Sequence, residues 1–194
     1  MANGNFPAGL QPRCYLSGAP YNGAMNTYFI PATDATAVYV GGLVKLAGSA
    51  DADGIPTVTG NVATGDTVCG VMMGIGRPPA FTGTNYRAAS TGTYVLVADD
   101  PRLVFEVQED SVGGALAAAD VGMVADLIGF TSGNTFTGLS AIQIDTSTKI
   151  APGDGTADVF IWRLEQTPDN EFGANAKVMV KLNNHAFAGV TAGV

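Results

Sequence analysis

A chain of 194 residues fits one domain, or one domain with an arm, and at that size roughly 70% of the unfolded surface is buried, so the core needs no staples. Charged residues make up 13%, where roughly 25% is ordinary, against 46% hydrophobic content and 26 glycines, so much of the surface is neutral or hidden in contacts. The net charge of −8, with nine basic residues scattered along the chain, excludes a direct nucleic-acid role and points a charged partner toward the basic side.

The first residues, MANGNFPAGL, have neither the charged nor the apolar region of an export signal, and no run reaches the ~18–20 apolar residues of a membrane helix, so no membrane contact is expected. Residues 1–35 interleave Asn, Gly and Pro with aromatics, and Pro7, Pro12, Pro20 and Pro31 break regular elements, so the segment reads as an extended arm. Disordered tails are poor in aromatics, so this arm is expected to lie against something: its own domain, a neighbouring subunit or a partner. Its candidate interface residues are Phe6, Tyr15, Tyr21, Tyr28 and Phe29, because amphipathic rings carry contact energy at low entropic cost. If so, deleting residues 1–31 leaves a folded domain that no longer binds or oligomerises.

Strands are expected in quick succession after residue 36. Residues 38–47 hold a Gly41-Gly42 break, 55–59 form a short candidate, and 66–75 are a long apolar run in which Gly70 and Gly74 predict bulges or close backbone approach. Residues 77–85, RPPAFTGTN, read as a loop. In residues 87–110, Tyr94, Leu96 and Ala98 alternate with Val95 and Val97, and Leu103, Phe105 and Val107 alternate with Val104 and Glu106. The Asp99-Asp100-Pro101-Arg102 turn between them makes this a predicted β-hairpin.

The alanine run at 115–119 is the one place where a helix is plausible, and Gly122 limits it to about two turns. Further strands are predicted at 124–130, 139–146, 158–165 and 176–183. In the last, Val178, Val180 and Leu182 face the core while Lys177 and Lys181 face water. Residues 186–194 read as a flexible tail. The expected fold is all-β: an antiparallel jelly-roll-like sandwich or barrel spanning residues 36–185, with the arm at 1–35 and at most one short helix. Cys14 and Cys69 form at most one disulfide or stay as two free thiols, and Cys69 reads as a small core hydrophobe.

Little in the chain marks chemistry. His185 is the only histidine and follows Asn183-Asn184, where a surface position is the simpler expectation. Asp51-Ala52-Asp53-Gly54 starts like a calcium loop but lacks the later ligands, so it reads as a tight turn. The run Gly74-Ile75-Gly76-Arg77-Pro78-Pro79 fails as a nucleotide loop, since proline stands where a helix N-terminus would begin. Asp99 and Asp100 sit side by side in one turn, and Glu106, Glu109, Asp158 and Glu165 could pair only through the fold. Trp162, Tyr86 and Tyr94 could form a sugar-stacking strip, or could be core. No catalytic residues, cofactor or metal are expected.

The stretch RAASTGTYVLVADDPRLVFEVQED (87–110), with GLVKLAGSADADG (42–54) and QTPDNEFGANAK (166–177), resembles the capsid decoration, or cement, proteins of tailed bacteriophages over residues 36–185. The resemblance implies a β-rich structural protein, not an enzyme, made in the host cytoplasm and located on the capsid surface of the virion. There it would bind the major capsid protein and itself, as a homodimer or homotrimer, and tie capsomers together. It carries no residue list with it. The alternative class is a carbohydrate-binding β-module.

Overall fold

Turn residues punctuate short apolar runs throughout the chain, and the computed structural model, which describes residues 3–76, 83–153 and 155–188, turns these runs into strands. In chain order they are β1 (Gln11–Tyr15), β2 (Asn26–Ile30), β3 (Gly42–Ala50), β4 (Pro56–Thr59), β5 (Gly70–Ile75) and β6 (Thr93–Ala98). There follow β7 (Leu103–Gln108), β8 (Val124–Ala125), β9 (Leu127–Ile128), β10 (Gln143–Ile144), β11 (Val159–Leu164) and β12 (Lys177–Leu182). The fold is all-β, as expected. The alanine run yields only a single 3-10 turn, Ala118–Asp120, where the Asp120 carboxylate accepts the Ala117 N–H at 2.8 Å. Most of the loop expected at 77–85 and of the tail at 186–194 lies outside the described residues.

Two assemblies stack on each other. The strands β2-β4-β3-β5-β6 close into a barrel, and β1-β7-β12-β11-β8 form an antiparallel five-stranded sheet. Inside the barrel lie Tyr28, Ile30, Val44, Val58, Cys69, Met72, Val95 and Val97. Between barrel and sheet, Leu43, Val71 and Ala98 meet Leu103, Phe105, Val107, Val159, Ile161, Val178 and Val180. Consecutive residues such as Leu43 and Val44, or Val71 and Met72, therefore serve different cores. A strand buried on both faces has no polar face to show, which is why 66–75 reads as one apolar run. Gly70 is needed there because a Cβ would collide with the Ala98 carbonyl oxygen, and the pairing of β5 with β6 shifts register between Met72 and Gly74, as an in-strand glycine predicts.

The predicted hairpin at 87–110 does not form. β6 pairs with β5 and β2 in the barrel, whereas β7 pairs with β1 and β12 in the sheet, so the Asp99–Arg102 turn carries the chain from one assembly to the other. Local turn chemistry is as read, with Asp100 accepting the Arg102 N–H at 2.8 Å. What redirects the chain is Asp99, whose carboxylate is held by the Tyr28 hydroxyl (2.6 Å) and the Asn26 amide (2.9 Å) of β2.

The segment expected as an arm is woven into both assemblies: β1 is an edge of the sheet, β2 closes the barrel against β4 and β6, and Leu10 and Ile30 are fully buried. Both cysteines are free thiols, and burial pushes the Cys69 thiol up to about 11.

Candidate interaction surface

Of the five residues expected at an interface, Phe6 is the most exposed at 76%, Tyr15, Tyr21 and Phe29 are half-buried and Tyr28 is buried. Tyr15 and Tyr21 pack partly against the sheet core, 6.4 Å apart between ring centroids. Tyr28 is a barrel-core residue whose hydroxyl donates to Asp99, and burial is the first cause that raises its pKa. Phe29 lies against Tyr94, with ring centroids 5.0 Å apart. Tyr28, in the barrel core, has no face left for a partner, whereas the other three rings each keep one part-exposed edge.

Phe6 is placed by Gln108 at the end of β7. The buried Gln108 amide accepts the Phe6 N–H (3.0 Å) and donates to the carbonyls of Gly4 (2.7 Å) and Asn175 (3.0 Å). Asn3 adds bonds to the Glu171 and Ala174 carbonyls at 2.8 and 3.0 Å. The chain start is thereby strapped across one end of the molecule with its phenyl ring outward. On one side of Phe6 is a cleft of about 140 Å³ reaching Asn170 and Lys177. On the other is a groove of about 760 Å³ walled by Pro7, Asn134, Thr137 and Ser140.

Three further apolar side chains stand around this end. Phe136 is 91% exposed, held out by a turn in which the Asn134 side chain accepts the N–H groups of Phe136 (2.9 Å) and Thr137 (3.1 Å). Val112 is 64% exposed, and the carbonyl of that residue accepts the Thr146 hydroxyl. Phe172 follows Glu171, which is tied to Asn3. Sequence reading missed Phe136, although one phenylalanine set in SGNTFTG with no alternating apolar neighbour is the mark of a ring that no core claims.

The other candidates are consumed by the fold. The Asp51 carboxylate accepts the N–H groups of Asp53 (2.9 Å) and Ile55 (2.8 Å) and the Tyr94 hydroxyl, which makes DADG the turn between β3 and β4. Glu106 is bound by Arg13 and Lys177, Glu109 by Ser111, and Asp158 by the N–H groups of Gly65 and Leu127, so none of these carboxylates shares a partner with another. Burial raises the Asp158 pKa. Tyr86 stacks on Tyr39 at 4.8 Å, Tyr94 on Phe29, and Trp162 carries the Arg163 guanidinium 4.6 Å from its ring centroid, so the three rings do not form one strip.

His185, expected at the surface, is only 7% exposed. The residue bridges to Val68, its Nδ1 accepts the Phe187 N–H at 3.1 Å, and its Nε2 has no hydrogen-bond partner among the described residues. The segment after β12 folds back along Val68 to complete backbone pairing, which buries a ring that local composition assigns to water.

The chain is matched by no family model, by no curated protein and by no solved structure.

Proposed function

We propose that this chain is a structural virion protein that binds the outer surface of a phage capsid, through the major capsid protein, and stabilises contacts between capsomers as a homo-oligomer. The observation that carries the reading is the apolar end built around Phe6. Phe6 and Phe136 are the most exposed rings among the described residues, 76% and 91%, and they stand beside one groove, held by neutral hydrogen bonds. A fixed, solvent-exposed aromatic cluster rimmed by amides is the composition of an interface core with its polar rim. The resemblance of residues 36–185 to decoration proteins supplies the partner.

Binding of this kind makes and breaks no bond. Each subunit removes apolar area from water at roughly 25 cal/mol per Å², and an oligomer that engages several capsomers at once gains avidity without new contacts. The test is co-sedimentation of the purified protein with undecorated capsids, beside light scattering of the free protein. Wild type is expected to saturate the shells, and the Phe6→Ala/Phe136→Ala variant to bind at least tenfold more weakly while keeping its oligomeric state and thermal midpoint. A folded wild type that ignores the shells removes the proposal.

A further inference from the structure

A second surface of opposite chemistry lies on the outer face of the five-stranded sheet. Phe105, Val107, Val178, Val180 and Ile161 point into the core, so their strand neighbours point away from it; of these Val104, Glu106 and Met179 are covered, while Phe160, Lys177 and Lys181 are part-exposed. Two bulges add to this face. One, between Pro12 and Cys14, turns Arg13 toward Glu106, and the other, between Ile161 and Arg163, sets Trp162 and Arg163 side by side. Four of the nine basic residues of a chain with net charge −8 therefore share one sheet face.

Glu106 and Glu165 are the carboxylates of this face; Glu106 binds Arg13 and Lys177, and the Glu165 N–H bonds the Lys177 carbonyl at the same end. Arg163 lies over Trp162 in register with Met179 and Glu106, and Lys181 stands one row farther along, opposite Phe160. Among the described residues neither Lys181 nor Arg163 has a carboxylate at ion-pair distance, whereas Lys45, Lys149 and Arg102 are paired with Asp66 (2.6 Å), Asp120 (2.8 Å) and Asp100 (3.7 Å). Lys181 is four residues from Lys177, about 13 Å along β12 and away from the Phe6 end.

We infer that Phe160, Trp162, Arg163 and Lys181 form a docking face for a carboxylate-rich surface of a different protein. Composition alone points to a basic partner, but this face carries Arg13, Lys177, Lys181 and Arg163 against Glu106 and Glu165 and is locally cationic, and an arginine over an indole keeps its fork for carboxylate recognition. A second copy of this chain, itself acidic, is the competing occupant, and self-association of the free protein that is lost in Arg163→Gln/Lys181→Gln would give the face to it and overturn the inference. Nucleic acid is disfavoured because its continuous phosphate charge would meet the net negative molecule around a small patch. The inference takes only its partner, an acidic part of the shell, from the capsid reading. A tie between neighbours needs two separate faces, and this one supplies the second.

Trp162 is the only tryptophan, so its fluorescence reports the face directly. The full chain is titrated with a decaglutamate peptide at low salt. A saturable emission change is expected that disappears at 0.5 M salt, with affinity about tenfold weaker in Arg163→Gln/Lys181→Gln and unchanged in Phe6→Ala/Phe136→Ala. If the double variant does not fold, Lys181→Gln alone is expected to weaken binding severalfold. No saturable change, equal affinity in the folded charge variants, or a single-stranded oligonucleotide of equal charge binding as tightly overturns the inference. Shell binding that survives such a failure leaves the capsid reading standing without this face, and decaglutamate binding without shell binding does the reverse.

Discussion

Arg87 shows how far one side chain can organise this chain. It is 1% exposed, and its guanidinium donates to four backbone carbonyls: Thr91 (2.9 Å), Thr36 (2.5 Å), and Pro31 and Asp34 (2.8 Å each). The Asp34 carboxylate lies 3.9 Å away; although burial opposes its charge, hydrogen bonds from Thr36, Gly60 and Thr59, with Arg87 nearby, hold its pKa below the usual range. A buried fork that satisfies four carbonyls has no substitute among the other side chains. Arg87→Lys is expected to leave carbonyls without donors and cost about 2–4 kcal/mol, a thermal midpoint lower by roughly 5–15 °C, read by calorimetry. His185 gives the second residue-scale expectation. Desolvation lowers its pKa to about 4, so between the ordinary value of 6.5 and about 4 the unfolded chain binds a proton that the fold refuses. Stability is then full above pH 6.5 and falls as pH drops toward 4. Urea unfolding at pH 7 and pH 4.5 should differ by roughly 2–3 kcal/mol, and by much less in His185→Leu. Asp34, with its lowered pKa, loses its contribution only below about pH 4, outside that window.

Strands as units were legible, and their partners were not. The patterns at 55–59, 66–75, 158–165 and 176–183 each contain a strand, because period-2 burial is a local property of the backbone, whereas 124–130 and 139–146 give only the two-residue strands β8, β9 and β10. The β6–β7 hairpin failed because the pairing decision is made by Asn26 and Tyr28, some seventy residues upstream, gripping Asp99. In β11 the alternation of Val159, Phe160 and Ile161 is kept, then broken by the bulge at Trp162, so Leu164 returns to the core and Arg163 faces out. Strict alternation assigns these last two residues the other way. A bulge leaves no composition signal when no glycine marks it, and the outer-face pairing of Arg163 with Trp162 was hidden for that reason. The apolar end was half legible: Phe6 was found through its setting in an aromatic segment, while Phe136 needed the Asn134 turn to be seen. Val112 was passed over because one valine after an acidic turn carries no period.

At the scale of the whole molecule, the division at residue 35 is where composition and architecture part. The first 31 residues differ in texture from the rest because proline and glycine must route a chain that serves two assemblies in succession, and not because they lie outside the domain. β1 supplies four register positions to β7, and β2 stands between β4 and β6, pairing with Tyr94 and its neighbours over five positions. Removing them opens the barrel, exposes β6 and β7 as bare edges and takes Leu10, Tyr28 and Ile30 out of the cores. Each such side chain is worth roughly 1.5–3 kcal/mol of burial, so three of them with two strands match or exceed the ~5–15 kcal/mol that holds a typical domain together. Deletion of residues 1–31 is therefore expected to abolish cooperative unfolding and near-ultraviolet circular dichroism, not to leave a folded module that merely fails to bind. Deletion of residues 1–6 alone removes Phe6, two of the three bonds of the Gln108 amide and the Asn3 bonds but no strand, and should keep a cooperative thermal transition while weakening attachment to shells. If the 1–31 deletion still melts cooperatively, β1 and β2 are docked additions, and the strands behind them form a complete domain.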